Sequence, residues 1–352
     1  MQIEKKIKDL IKKSGPISIS EYMEICLWDD KNGYYTSNQV LGRIGDFITS
    51  PEISQTFGEL IGLWALNFYQ EFINRQPLCI TELGAGRGTL LKDAIRTIYK
   101  FTNNKINLEI TILEKSERLV ALQKENLKNK NVKWISDIKG LSLEPQIIIA
   151  NEFFDALPIN QYVRSNKGWH EKKITIKNGK LCFTLDNKIW VPNDSIFSDF
   201  KIGDTLEYSE QTISIFSNIC NYLNQYDGVL LLVDYGNVSG IGDTLQAVNK
   251  HKFRGVLEKP GQSDLSSHVN FGLLKEIAIK KNLYVSPVKE QRNFLLELGI
   301  KERLKSLTKN VSSDIAETVN SEIKRLIDPD KMGSLFKVIA ITKTKRNLEG
   351  LN

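Results

Sequence analysis

Glu82-Leu83-Gly84-Ala85-Gly86-Arg87-Gly88 carries the densest chemical signal in the chain. Glycines at every second position let the backbone turn tightly and approach a ligand, and a helix starting just after them offers its free N–H groups. Any nucleotide-binding fold shares that much. Two neighbours narrow the choice. A dinucleotide fingerprint wants its third glycine at position 89, where Thr89 stands, and a carboxylate at Glu82 would repel a pyrophosphate. The same carboxylate attracts positive charge. The methionine part of S-adenosylmethionine carries an ammonium and a sulfonium, so the turn suits that cofactor, with S-adenosylhomocysteine as its product.

Downstream acids fall where the rest of such a cofactor needs them. Glu114 closes the second predicted strand, where a carboxylate can accept both ribose hydroxyl protons. Asp137 follows the third, placed to accept from the adenine amino group. Either alone reads as an exposed loop carboxylate; their order after successive strands supports the cofactor reading.

Positioning these residues requires alternating strands and helices. Apolar runs predict strands at Leu78–Leu83, Leu108–Leu113, Val132–Ile135 and Gln146–Ala150, with helices over Thr89–Tyr99 and Ser116–Leu127 between them. That is an α/β, doubly wound, Rossmann-like unit. Upstream, helical spacing covers Met1–Lys13, a second helix capped by Ser18 or Ser20 runs to Leu27, and Glu52–Phe72 resumes the pattern after the glycine-rich stretch Gly42–Pro51. Gln161–Val191 reads as strands around an Asn178-Gly179 hairpin, and Ser209–Gln225 as a helix. The sheet resumes at Gly228–Val233 and ends near Phe336–Thr342. The expected organisation is an N-terminal helical segment (1–76), a first part of the cofactor-binding core (77–160), an inserted α+β subdomain (161–226), the rest of the sheet with helices (227–345), and a short tail (346–352).

Composition excludes several function classes. A chain of 352 residues, 41% hydrophobic, can bury a large core. The net charge of +6, from 48 basic and 42 acidic residues, is spread as mixed signs without basic runs interleaved with aromatics, so nucleic acid is not an expected partner. Cys26, Cys79, Cys182 and Cys220 form no CxxC pair, and His170, His251 and His268 form no HExxH pattern, so no metal is expected. No apolar stretch approaches the ~20 residues that span a bilayer, and no signal-peptide core opens the chain; membrane insertion is not expected, and a cytoplasmic location is the default.

Longer blocks add a resemblance. Gly45-Asp46-Phe47-Ile48-Thr49-Ser50-Pro51-Glu52 with Gln55, Phe57, Gly58 and Glu59, the glycine turn, Asn151-Glu152-Phe153-Phe154-Asp155-Ala156-Leu157-Pro158 with Gln161, Asp234-Tyr235-Gly236, Gly242-Asp243-Thr244-Leu245-Gln246-Ala247, Pro260-Gly261, Asp264-Leu265 and His268 together resemble the MidA-like methyltransferases over nearly the whole chain. Asn270 and Arg292-Asn293 depart from the usual pattern. The resemblance implies a class I S-adenosylmethionine-dependent methyltransferase sheet with an added helical and β subdomain. It also implies a protein substrate, which in a mitochondrial relative needed for assembly of respiratory complex I is modified on arginine, so an NADH dehydrogenase subunit is the expected partner. The oligomeric state stays open, a homodimer included.

Methyl transfer from a sulfonium is an in-line displacement in which positioning and desolvation do most of the work. An arginine acceptor is always protonated in water and asks for carboxylates that hold its fork. Glu152 and Asp155, just after the fourth strand, are the candidates, with Phe153 and Phe154 flanking the plane or serving as core. Asn151 could present its carbonyl to an amide or exocyclic amine, which keeps a glutamine or other planar nitrogen acceptor open, and it also borders the cofactor. His268, near Asp264, could take the released proton. Asp46 is expected over the cofactor, Glu52 as a helix cap, and Asp234-Tyr235-Gly236 as a strand end shaping the pocket floor or, alternatively, as a turn with Gly236 at positive φ. The competing readings are an assembly chaperone that binds the cofactor without using it and, disfavoured by Glu82 and Thr89, a nicotinamide oxidoreductase.

Overall fold

The computed structural model describes residues 2–36, 49–75, 77–128, 130–191 and 200–352. They gather into two compact units, each built from discontinuous stretches: 48–153, 216–236 and 275–352 in one, 1–47, 154–215 and 237–274 in the other. These units cut the chain differently from the linear division above. The first 47 residues group with the inserted strands, and 48–76 with the cofactor-binding core.

The larger unit is organised by a central sheet whose strands we label β1 (Leu78–Leu83), β2 (Leu108–Leu113), β3 (Val132–Ile135), β4 (Gln146–Asn151), β5 (Gly228–Asn237), β6 (Tyr284–Val285) and β7 (Phe336–Thr342). Their spatial order is β3-β2-β1-β4-β5-β7-β6. Neighbours from β3 through β5 are parallel, whereas β7 runs antiparallel to β5 and β6. Ile147 to Ala150 and Val229 to Val233 are almost wholly buried, as continuous apolar runs must be when helices cover both faces. From β1 the chain winds outward to one side, and from β4 to the other. The carboxyl ends of β1 and β4 therefore flank a topological switch point, where open α/β sheets bind ligands.

Helices α1 (Gln55–Phe68), α2 (Thr89–Phe101) and α3 (Glu117–Asn126) pack in this unit. The helix expected over Glu52–Phe72 is interrupted. Ser50–Ile53 forms one turn, and Ser54 then leaves the helical region and caps α1, its hydroxyl accepting the Thr56 N–H. Gly58 and Gly62 let α1 lie against α2, since a Cβ at either would come within 2.8 Å of Asp93 or Ala94. Beside them the buried Glu59 accepts from Arg96 at 3.0 Å and from Arg303 Nε at 2.8 Å, tying both helices to residues 300–308. Removing one partner of such an arrangement strands the others. Both arginines are partly solvated, so Glu59→Ala is expected to lower unfolding free energy by about 2–3 kcal/mol in urea titration. An unchanged midpoint would mean that water fully screens the network.

Asp234-Tyr235-Gly236 lies at the end of a strand, and the alternative turn does not form. β5 continues to Asn237, Asp234 and Tyr235 pair with Lys337 and Phe336 of β7, and Gly236 is absent from the left-handed region. Pairing with β7 keeps the backbone extended past the point where the local sequence suggests a stop.

In the smaller unit, Gly168–Lys177 pairs with Lys180–Trp190 in a long hairpin. Its turn residues Asn178 and Gly179 both have positive φ, as the hairpin signal requires. Asn160–Ser165, Thr205–Tyr208 and the short Ile17–Ser18 complete that sheet, and Gln246–Asn249 centres a three-stranded one. Helices Gln2–Ser14 and Ile19–Trp28 bury Ile3, Ile7, Ile11, Tyr22 and Met23 against these strands. Ser18 caps the second helix through a reciprocal box with Glu21. Among the described residues no helix is long and apolar enough to cross a membrane, and no cluster of three or more metal-ligating side chains occurs.

Candidate functional site

At the switch point of the larger unit, Gly84, Gly86 and Gly88 adopt φ of +62°, +53° and +78°. Residues with Cβ atoms resist these angles, and a Cβ at Gly84 would also sit 2.7 Å from the Phe153 ring. Gly88 caps α2, whose first N–H groups face the turn. Glu82, the penultimate residue of β1, accepts the Leu91 N–H from that first turn. Its Oε2 has no hydrogen-bond partner among the described residues, and burial pushes the carboxyl up to about 8. At the adjacent strand end, the buried Asn151 Oδ1 is likewise without a partner. Two buried acceptors on neighbouring strands, one a carboxylate lacking a counter-charge, fit a cationic multi-donor group such as the ammonium of S-adenosylmethionine.

Glu114 is buried at the end of β2, and its Oε1 accepts the Lys115 and Ser116 N–H groups, each at 2.9 Å. Burial raises its pKa, partly offset by those donors. Asp137 is exposed, and its carboxylate caps the short turn Ile138–Gly140 by accepting the Lys139 N–H at 2.8 Å. Asp46 lies outside the described residues.

Glu52 does not act mainly as a cap. Its carboxylate accepts from the Thr89 hydroxyl and lies 3.8 Å from the Arg87 guanidinium, so it clamps the glycine turn. Thr89, read from sequence only as a missing glycine, thus has a role of its own. Glu152, one residue past β4, is held at φ +51°, a left-handed conformation uncommon for a side chain of its size. Its N–H donates to Val233 O at 2.9 Å, and its carboxylate accepts the Ser50 N–H at 2.8 Å and the Asn151 amide at 3.3 Å. The next residue, Phe153, donates its N–H to the fully buried Asp234 at 3.2 Å. Asp234 thereby fixes the path of the backbone that presents Glu152. Cofactor turn and acceptor candidate are both braced by the single turn Ser50–Ile53.

The remaining candidates belong to the smaller unit. Asp155 is buried, and its carbonyl accepts the Ser267 N–H at 3.0 Å, next to His268. Asp264 accepts from the Tyr35 hydroxyl at 2.9 Å; burial, then the Asp264 charge, hold that phenol well above its ordinary range, with Asp155 contributing. His268 is positioned through its N–H, which donates to Thr244 Oγ1 at 2.8 Å, and Thr244 donates in turn to the buried Glu207. Phe154 is 2% exposed, which decides for its reading as core. Glu207, Tyr35 and Gln123 escape sequence reading, as does the bond Asp234 accepts from Phe153. For Gln123 a signal exists: it occupies the apolar face of α3, in line with Leu119 and Leu127.

Comparison with known proteins follows this geometry. Residues 60–287 match the model of an S-adenosyl-L-methionine-dependent methyltransferase family. A Xenopus tropicalis protein named protein arginine methyltransferase NDUFAF7, mitochondrial, is 33% identical over 365 residues, covering 96% of this chain and 84% of its own length. Its Caenorhabditis elegans homolog is 33% identical over 338 residues, covering 87% and 78%. A Burkholderia thailandensis structure with S-adenosyl-homocysteine bound superposes with a TM-score of 0.82 at 23% identity, over 99% of this chain and 94% of that one, and so shares the fold. The mitochondrial relatives overturn the cytoplasmic expectation, which rested on finding no signal-peptide core and on an amphipathic start whose Glu4 and Asp9 look unlike an acid-poor organellar presequence. With the glycine turn, the switch-point sheet and the family match in agreement, the chain belongs to the S-adenosylmethionine-dependent methyltransferases of the MidA-like family.

Proposed function

We propose that this methyltransferase modifies an arginine side chain of a protein, with a subunit of a respiratory NADH dehydrogenase as the first acceptor to test. The names of the relatives and the strained placement of Glu152 support the reading. When bound, S-adenosylmethionine supplies an electrophilic methyl group on a sulfonium. Glu82 and Asn151 hold the ammonium, the glycine turn admits the backbone close to the ligand, Glu114 accepts from the ribose, and Asp137 borders the adenine. Glu152 holds the acceptor guanidinium and localises its charge, which favours a lone pair on the attacking nitrogen. Asp155 as second carboxylate and His268 as acceptor of the released proton are assigned from residue chemistry and the family pattern.

The observation that carries the reading is Glu152: a carboxylate forced into the left-handed region at the carboxyl edge of the sheet, beside Asn151. The test is mass spectrometry of arginine methylation in cells with and without this chain. Loss of methylation at a specific arginine is the expected result, and an unchanged arginine pattern would refute it. The partnerless Asn151 carbonyl oxygen supports a second reading, an amide nitrogen acceptor, which the same spectra would reveal as methylated glutamine.

The Glu82 assignment has a pH signature. Its folded-state pKa of about 8 means the carboxyl is mostly protonated at neutrality. A bound ammonium favours the ionised form, so binding expels a proton. S-adenosylhomocysteine affinity, followed by calorimetry, is expected to rise nearly tenfold per pH unit from pH 6 and to level off near 8. A flat profile across that window would remove Glu82 from the ammonium site.

A further inference from the structure

Helix α3 reaches the cofactor cradle from behind. Near its end, the fully buried Gln123 donates through Nε2 to Gly86 O at 2.9 Å and to Glu114 Oε2 at 3.2 Å, while its Oε1 accepts from Trp134 Nε1 at 2.9 Å. An indole nitrogen only donates, so the amide oxygen must face Trp134 and the amide nitrogen must face the carbonyl and the carboxylate. One turn on, Asn126 donates to Arg87 O at 2.9 Å. Two successive carbonyls of the glycine turn are therefore held by one helix.

The Gln123 amide meets three elements at once: the turn after β1, the carboxylate ending β2, and an indole on β3. No isosteric residue does the same. Glutamate would accept from Trp134 but offer no donor to Gly86 O, and would set a second carboxyl against Glu114, which burial already disfavours as an anion. Both Gln123 donors are committed, so Glu114 Oε2 is fixed from behind.

We propose that Gln123 is the positioning residue of the cofactor site, orienting the Glu114 carboxylate for the ribose hydroxyls and locking the glycine turn to it. It acts through Glu114 and the turn and touches no reacting atom. The inference rests on the assignment of Glu114 to the ribose.

The experiment measures the dissociation constants of S-adenosylhomocysteine and of its 2′-deoxy analogue for the full chain and its variants. A buried carboxylate bonded to a ribose hydroxyl gives the wild type a preference of roughly tenfold or more for the hydroxylated ligand. In Gln123→Glu this preference is expected to fall toward one, along with weaker binding of both ligands. Loss of global stability alone would weaken both ligands equally and leave their ratio unmoved. Trp134→Phe, which removes the bond steadying the amide oxygen while leaving Gln123 in place, is expected to reduce the ratio partway, and decides the matter if Gln123→Glu does not fold. A wild-type ratio in the deciding variant overturns the proposal. Glu114→Gln separates the two layers. If it abolishes the ratio while the Gln123 or Trp134 change does not, only the positioning inference fails; if it also keeps the ratio, the ribose assignment falls and the inference with it.

Discussion

Glu152→Gln is expected to reduce methyl transfer about a thousandfold while S-adenosylhomocysteine affinity stays within a few-fold of wild type. The amide has the shape of the carboxylate and can still accept the Ser50 N–H, so the strand end should keep its form. What it lacks is the negative charge that localises a guanidinium's positive charge away from the attacking nitrogen. Removing one preorganised electrostatic group typically costs 10²–10³ in rate, and here that group also orients the acceptor. Single-turnover transfer of a labelled methyl group, with calorimetric S-adenosylhomocysteine binding alongside, separates chemistry from cofactor affinity. Glu152→Gly completes the argument from the opposite side. Glycine adopts φ +51° freely, and the relieved strain offsets part of the loss of the bond from Ser50 N–H, so that variant should lose no more than about 1–2 kcal/mol in denaturant, yet be equally inactive. Turnover at the wild-type rate in Glu152→Gln would instead favour the reading of a cofactor-binding assembly factor that performs no transfer.

The second large effect concerns Glu82. Because its folded pKa lies near 8 against about 4.5 for a free side chain, the folded protein without ligand binds an extra proton between those values. Its contribution to stability is therefore present below pH 4.5 and is lost progressively as pH rises toward 8. The neutral isostere Glu82→Gln escapes that loss. Without ligand it should be at least as stable as wild type at pH 8, with a flatter pH dependence, while its S-adenosylhomocysteine affinity drops on the order of 100-fold, about 3 kcal/mol, as expected for removing one partner of a buried charge pair. The rise in affinity between pH 6 and 8 should vanish with it. A variant that binds as tightly as wild type would show that the buried carboxyl serves the fold and not the ligand.

The strands of the central sheet were legible because most are short apolar runs, buried on both faces at the centre of the sheet, and β1, β2 and the half-buried edge strand β3 begin and end where the pattern places them. The glycine turn was legible too, since its three positive φ angles are available at little cost only to glycine. Less legible was whatever depends on partners far away in sequence. Nothing near Asp234 and Tyr235 announces that β7, a hundred residues on, pairs with them and extends the strand. The break at Ser54 is invisible in a helical pattern that continues on either side, and the clamp formed by Glu52 on Thr89 needs the packing of two helices before it exists. Gln123 and Glu207 illustrate the same limit. A polar residue on an apolar face signals a buried network, but which groups it joins is settled only by tertiary contact.

The antiparallel strand β7 also bears on how the chain is made. The segment carrying the cofactor turn and the first four strands leaves the ribosome long before Phe336–Thr342, which pairs with Val229–Tyr235 of β5. Until β7 arrives, Val229–Tyr235 of β5, residues that end up almost wholly buried, lack this partner. Open apolar strand edges pair with other chains. Completion of the sheet thus waits on a segment synthesised about a hundred residues after β5, and nascent chains stalled before Phe336 form the population most in need of chaperone protection.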